Sequence, residues 1–203
     1  MGDEAITDAL LAIVAGREGF RLLSRPHGGT TAGVGLFLVA VAATFGVFRY
    51  SVAPDLVGSH EGVSRLAAQV GMPLVGVGYL VAAFAPTRDR VVRPYAFVVL
   101  LLLAVLLPVY LVDVVPYGAV VGGSGMAAVI VGSVALARVT RAALIGAAGA
   151  AGVLISGLVI VGEGELGFFS RLAWFHVGLA ASAWLLARGL LRLPEDHGLP
   201  DRQ

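Results

Sequence analysis

The chain has 203 residues, 58% of them hydrophobic and only 13% charged, with a mean hydropathy of +0.92. Soluble domains are nearer a quarter charged, so this composition predicts a polytopic membrane protein and excludes a soluble core with one anchor. A net charge of +1 leaves no footprint for nucleic acid, and the absence of cysteine excludes disulfides, thiolate metal sites and cysteine nucleophiles. All 14 basic residues are arginine, so a retinal Schiff base and other lysine-based covalent catalysis are excluded. Arginine-only usage also points to a GC-rich prokaryotic genome, and hence to a prokaryotic plasma membrane as the location.

A span needs about 20 mostly apolar residues. The predicted fold is an all-α polytopic transmembrane helical bundle of seven spans, at roughly 4–24, 30–50, 64–85, 94–115, 117–137, 140–161 and 168–191. Residues 1–193 read as a single transmembrane domain and 194–203 as a polar cytoplasmic tail. The start, MGDEAITDALLAIVAGREGF, has an acidic front and no basic leader region, so the first segment is expected to be a retained helix. It carries Asp8, Arg17, Glu18 and Arg21. Helical periodicity puts Asp8, Leu11, Ala15 and Glu18 on one face, which a span must turn toward other helices. As an interfacial helix it would leave six spans.

Turn formers separate the segments, as in Arg25-Pro26-His27-Gly28-Gly29 and Pro86-Thr87-Arg88-Asp89. The longest gap, Ser51 to Ser64, has room for a short interfacial helix. Pro73 and Pro108 lie inside the third and fourth spans, where each removes a backbone donor and favours a kink. Gly118, Gly122, Gly125 and Gly132 in the fifth span, and Gly146, Gly149, Gly152 and Gly157 in the sixth, are the small residues that let helix backbones approach in lipid. Internal packing explains them; a homo-oligomer or a membrane partner is the alternative use.

Arginines in the loops set the orientation. Arg21, Arg25, Arg88, Arg90, Arg93, Arg138, Arg141, Arg188 and Arg192 fall on one side. Arg49, Arg65 and Arg171 fall on the other, diluted by Asp55, Glu61, Asp113, Glu163 and Glu165. The N-terminus is then outside and the C-terminus cytoplasmic. In that frame the polar groups gather in the outer half. Asp8, Arg49, Gln69, Tyr110, Asp113, Glu163 and His176 are candidates for one outward pocket. His176 is centred in it, about 8 residues into the last span, or roughly 12 Å along it.

Each group has a structural reading beside the functional one. His176 can be a buried histidine bonded to a neighbouring helix, and His60 and Glu61 a solvated pair. Glu163 and Glu165 can be a wet turn, and Trp174 and Trp184 interface anchors. No H-E-x-x-H, phosphate loop or dinucleotide fingerprint is present.

Seven short-looped spans with the acidic Thr7-Asp8-Ala9-Leu10-Leu11, a histidine after span two (His60) and one in span seven (His176) resemble a known superfamily. It is that of the seven-span membrane hydrolases, which includes the alkaline ceramidases, the progestin and adipoQ receptors and the lysoplasmalogenase-like proteins. The resemblance implies zinc held by His60 and His176 with Asp8 in support, and cleavage of a lipid amide or ester. The sequence departs from that pattern. Leu172 and Ala180 stand one turn either side of His176, where a second histidine would be, and Gln69 stands in place of the aspartate of span three. Three functions follow as expectations. They are a non-enzymatic carrier, receptor-like or assembly module, a metal-dependent lipid hydrolase, and a proton- or ion-coupled carrier using Asp8, Asp113 and His176.

Overall fold

A computed structural model describes residues 2–84, 115–160, 162 and 164–194. They are mostly helical. The expected fourth span at 94–115, with Pro108, Tyr110 and Asp113, lies outside the described residues save Val115, as does Glu163.

The elements are α1 (Asp3–Leu23), α2 (Gly29–Ser51), α3 (Val57–Leu66), α4 (Met72–Phe84), α5 (Val115–Leu136), α6 (Leu144–Ile155) and α7 (Arg171–Leu191). Among the described residues four helical stretches are long and apolar enough to cross a membrane. They are Gly29–Ser51, Pro54–Phe84, Arg141–Ile160 and Arg171–Leu191. The gap expected between the second and third spans is itself helical. A 3-10 turn, Pro54–Leu56, leads into α3, and a π-helical turn, Ala67–Gly71, joins α3 to α4. The third apolar helix therefore starts well before residue 64. The π turn sits just ahead of Pro73, whose ring and missing N–H disfavour the ordinary i→i−4 bond to Gln69. A second π turn, Ser156–Ile160, ends α6. The chain then forms a two-residue hairpin, Glu165–Leu166 paired with Phe169–Ser170, so α7 begins at Arg171 rather than 168.

The described helices close into a ring in the order α1, α2, α4, α5, α6, α7, with α7 back against α1. Contacts along each seam set the directions. Gly19 meets Gly33 while Asp8 meets Gly46, so α1 and α2 are antiparallel. Gly35 meets Gly71 and Gly28 meets Gly78, so α2 and α4 are antiparallel too. By contrast, Gly76 meets Gly125 and Tyr79 meets Gly132, which makes α4 and α5 parallel. Phe84 and Val115 consequently lie at opposite ends of the bundle. Gly146 meets Gly189 and Gly152 meets Ser182 across an antiparallel α6–α7 seam.

The side chain of Tyr79 runs across this ring. It is fully buried, and its hydroxyl donates to the Leu186 carbonyl at 2.6 Å. The hydroxyl lies in a slot between Gly146 and Gly189, where a Cβ on either glycine would collide with it. One residue thus pins α4 to both α6 and α7 and fills the end of the bundle that carries Arg21, Arg25, Arg138, Arg141, Arg188 and Arg192.

Tyr79→Phe is expected to cost about 1 kcal/mol, the net worth of one hydrogen bond. Gly146→Ala overpacks the slot and is expected to cost about 1–3 kcal/mol. The ring carbons Cζ and Cε1 of Tyr79 crowd the same position, so Tyr79→Leu, which removes the ring, relieves the clash, and the Tyr79→Leu/Gly146→Ala double variant is predicted to be less destabilised than the sum of its singles in thermal unfolding. Strict additivity would refute the slot.

Candidate functional site

The polar stripe of the first helix is buried. Asp8, Leu11, Ala15 and Glu18 are all at most 3% exposed, because α1 is clasped along its length by α2 and α7. The two carboxylates on the stripe differ in kind. Glu18 is paired with Arg17 and Arg21, each at 3.1 Å, at the arginine-rich end, where it is structural. Among the described residues Asp8 has no arginine in contact with it. Its carboxylate fits against α2 only because residue 46 is glycine; a Cβ there would overlap it. On the other side, Oδ1 of Asp8 lies 3.3 Å from Nδ1 of His176, in the second turn of α7. The two approach without making a hydrogen bond, which leaves Nδ1 of His176 buried with no partner, and Oδ2 of Asp8, against Gly46, has none either. Unpaired polar atoms at such depth carry a cost of about 1–3 kcal/mol each and call for an explanation.

Both side chains line a cavity of about 300 Å³ on the axis of the ring, at the end opposite the Tyr79 slot. Every ring helix contributes to its wall, which is mostly apolar: Leu11 of α1, Val39 of α2, Met72 of α4, Met126 of α5, Leu154 of α6 and Phe175 of α7. The two π turns contribute as well, through Ala67 and Ala68 in one and Gly157 and Leu158 in the other. Such turns are rare and recur at functional sites.

His60 and Ser64 of α3 complete the polar lining. Nη1 of Arg49 lies 2.9 Å from Nδ1 of His60. Arginine has no acceptor, so Nδ1 must accept, and the ring proton of His60 resides on Nε2. The guanidinium also lies over the Tyr50 ring, 4.9 Å from its centre, and Tyr50 meets His60 edge-on at 5.9 Å.

Of the residues predicted from sequence, the cavity brings together Asp8, His60 and His176, with Arg49 held beside His60. Gln69 is half-buried on the first π turn and does not line it, and Glu61 is exposed. Glu165 is exposed in the hairpin. Tyr110, Asp113 and Glu163 lie outside the described residues. Trp174 fastens the hairpin to α7, donating from Nε1 to the Leu166 carbonyl at 2.8 Å and meeting Phe169 edge-on. Trp184 is partly exposed beneath Arg188. Arg171 caps the second π turn by donating to the carbonyls of Val159 and Ile160. Sequence reasoning misses Gly46, Ser64, Phe175 and both π turns. Gly46 looks like any other small residue in an apolar helix, and a π turn has no composition of its own.

Among the described residues no three His, Cys, Asp or Glu side chains are placed to hold a metal ion. His60 fits poorly as a ligand in any case: one nitrogen accepts from a guanidinium and the other carries the proton. The chain matches no family model, no curated protein and no solved structure.

The fit of Asp8 against residue 46 makes a specific prediction. Gly46→Ala forces the carboxylate out of its niche and is expected to destabilise the protein by about 1–3 kcal/mol. Asp8→Ala in the same chain removes the obstacle, so the pair is predicted to couple by more than about 0.5 kcal/mol in a thermal double-mutant cycle. No coupling would mean that the two do not meet.

Proposed function

We propose that this chain is a seven-span membrane protein of a prokaryotic plasma membrane whose ring of helices forms an outward-facing cup for a small amphiphilic molecule. It acts as a binding or carrier module and not as a hydrolase. The observation that carries the reading is the apolar cavity of about 300 Å³ with an Asp8–His176 pair in its wall. That is the ordinary make-up of a small-molecule site, a greasy wall with a few placed polar groups, at the low end of the usual size range. An ionisable pair inside a membrane bundle has no cheap structural justification, and such residues mark ligand sites and pathways.

Several features support seven spans with the N-terminus out. α1 has 21 residues, so at about 1.5 Å per residue it is as long as the hydrocarbon core is thick. It packs as a member of the ring, alongside α2 and α7, and its most buried charge, Glu18, is paired. Phe84 and Val115 stand at opposite ends of the bundle, so the 30 residues between them allow one more crossing at 94–115. The end bearing Arg21, Arg25, Arg138, Arg141, Arg188 and Arg192 becomes cytoplasmic under the positive-inside rule. The cup then opens to the outside, with Tyr79 closing the inner side.

The hydrolase reading has less support. A catalytic zinc needs about three nitrogen or oxygen ligands and an open position. Here His60 is committed to Arg49, and Leu172 and Ala180 flank His176.

A chain without cysteine is suited to accessibility mapping. In intact cells a membrane-impermeant thiol reagent is expected to modify Asp55→Cys and Ser64→Cys at once. Ser24→Cys is expected to react only after permeabilisation, and Ala187→Cys, buried beside the Tyr79 slot, not at all. Immediate labelling of Ser24→Cys would overturn the orientation. Purified protein is further expected to carry no stoichiometric zinc and to keep its melting temperature in a chelator. A chelator-sensitive, zinc-loaded protein would instead restore the hydrolase.

A further inference from the structure

We propose that the ligand of the cup is a small lipophilic cation, an amine or ammonium with one ring and a short chain, held by the carboxylate of Asp8. The inference rests on the cup reading above and adds the charge of the head group. Among the described residues Asp8 is the sole carboxylate lining the cavity. It is 1% exposed; its Oδ2 is packed against Gly46 without a partner, and its Oδ1 lies on the opposite side, toward His176. Carboxylates so placed need a counter-charge, because desolvation is not otherwise offset.

Among the described residues no arginine pairs with Asp8 in contact, and Arg49 acts on it only from a distance. Arg49 is directed to His60 and to the face of Tyr50. Arg171 is held by the carbonyls that end α6. His176 approaches Asp8 at 3.3 Å without making a hydrogen bond. A ligand ammonium supplies a contact charge: it donates to Oδ1 of Asp8, the oxygen on the His176 side, and its charge is favoured over an aromatic face. Such a face is at hand, since Phe175 lines the cavity beside His176, with 5.5 Å between ring centres. The thioethers of Met72 and Met126 and the side chain of Leu179 take the apolar part and adapt to its shape. An anion would meet Asp8 with the wrong sign, and a neutral alcohol would leave the carboxylate uncompensated.

The test is a trio that differs only in head group: 4-phenylbutylamine, 4-phenylbutanol and 4-phenylbutanoate. Each is titrated calorimetrically at pH 7 into the full chain in lipid nanodiscs, with empty nanodiscs as the blank. The amine is expected to bind at least about tenfold tighter than the alcohol, and the butanoate not measurably. Asp8→Asn keeps the shape of residue 8 and is expected to abolish the preference for the amine while leaving alcohol binding in place. Phe175→Leu is expected to weaken the amine more than the alcohol. Equal binding of amine and alcohol by the wild type would overturn the cation assignment and leave the cup intact. Tightest binding of the butanoate would also overturn it, moving the head group to Arg49 and His60. No binding of any of the three, with Ser64→Cys also unreactive, would refute the cup itself. These wild-type comparisons hold even if a variant fails to fold.

Discussion

The helices of this bundle touch backbone to backbone, and everything else depends on that contact. Gly19 on Gly33, Gly35 on Gly71, Gly28 on Gly78 and Gly76 on Gly125 are successive crossings at which a Cβ would meet a carbonyl. In lipid the hydrophobic effect does not drive helices together, so close van der Waals approach has to. Small residues at the seams bring the helix axes near enough for that. They also decide which larger side chains have room. Tyr79 reaches across the ring only because Gly146 and Gly189 leave a slot, and Asp8 enters the α1–α2 seam only because residue 46 lacks a side chain.

The same geometry divides the ring into a filled half and a hollow half. In the filled half Tyr79, Leu186 and their neighbours occupy the axis, with a hydroxyl satisfied by a backbone carbonyl. In the hollow half the walls are alanine, glycine, valine, leucine and methionine, and both π turns contribute to them. Polar groups follow this division. Glu18, at the filled end, is neutralised by two arginines; Asp8, at the hollow end, keeps an oxygen without a partner. A protein that needed Asp8 only for stability would be expected to satisfy it as it satisfies Glu18.

The resemblance to seven-span hydrolases rested on the spacing of Asp8, His60 and His176 along the chain. All three do reach one cavity. They are not brought together as a metal centre: His60 turns a nitrogen to Arg49, eleven residues earlier, a pairing between α2 and α3 that spacing alone does not reveal. Co-location in a pocket and convergence on an ion are different geometric demands, and only the first is met among the described residues.

Composition and periodicity were enough to determine the helical, membrane-compatible class, the buried stripe of α1 from Asp8 to Glu18, and the gathering of arginines at one end. These follow from apolar content, a 3.6-residue repeat and the order of loops along the chain. Tertiary structure alone decided that the helices close into a ring, that Tyr79 fills one half of it, and that Gly46 admits Asp8 to meet His176 across α1 and α7. Such features are contacts between segments far apart in sequence. The residues that permit them are glycines, which leave no mark in a pattern of apolar and polar side chains because their contribution is the space they do not fill.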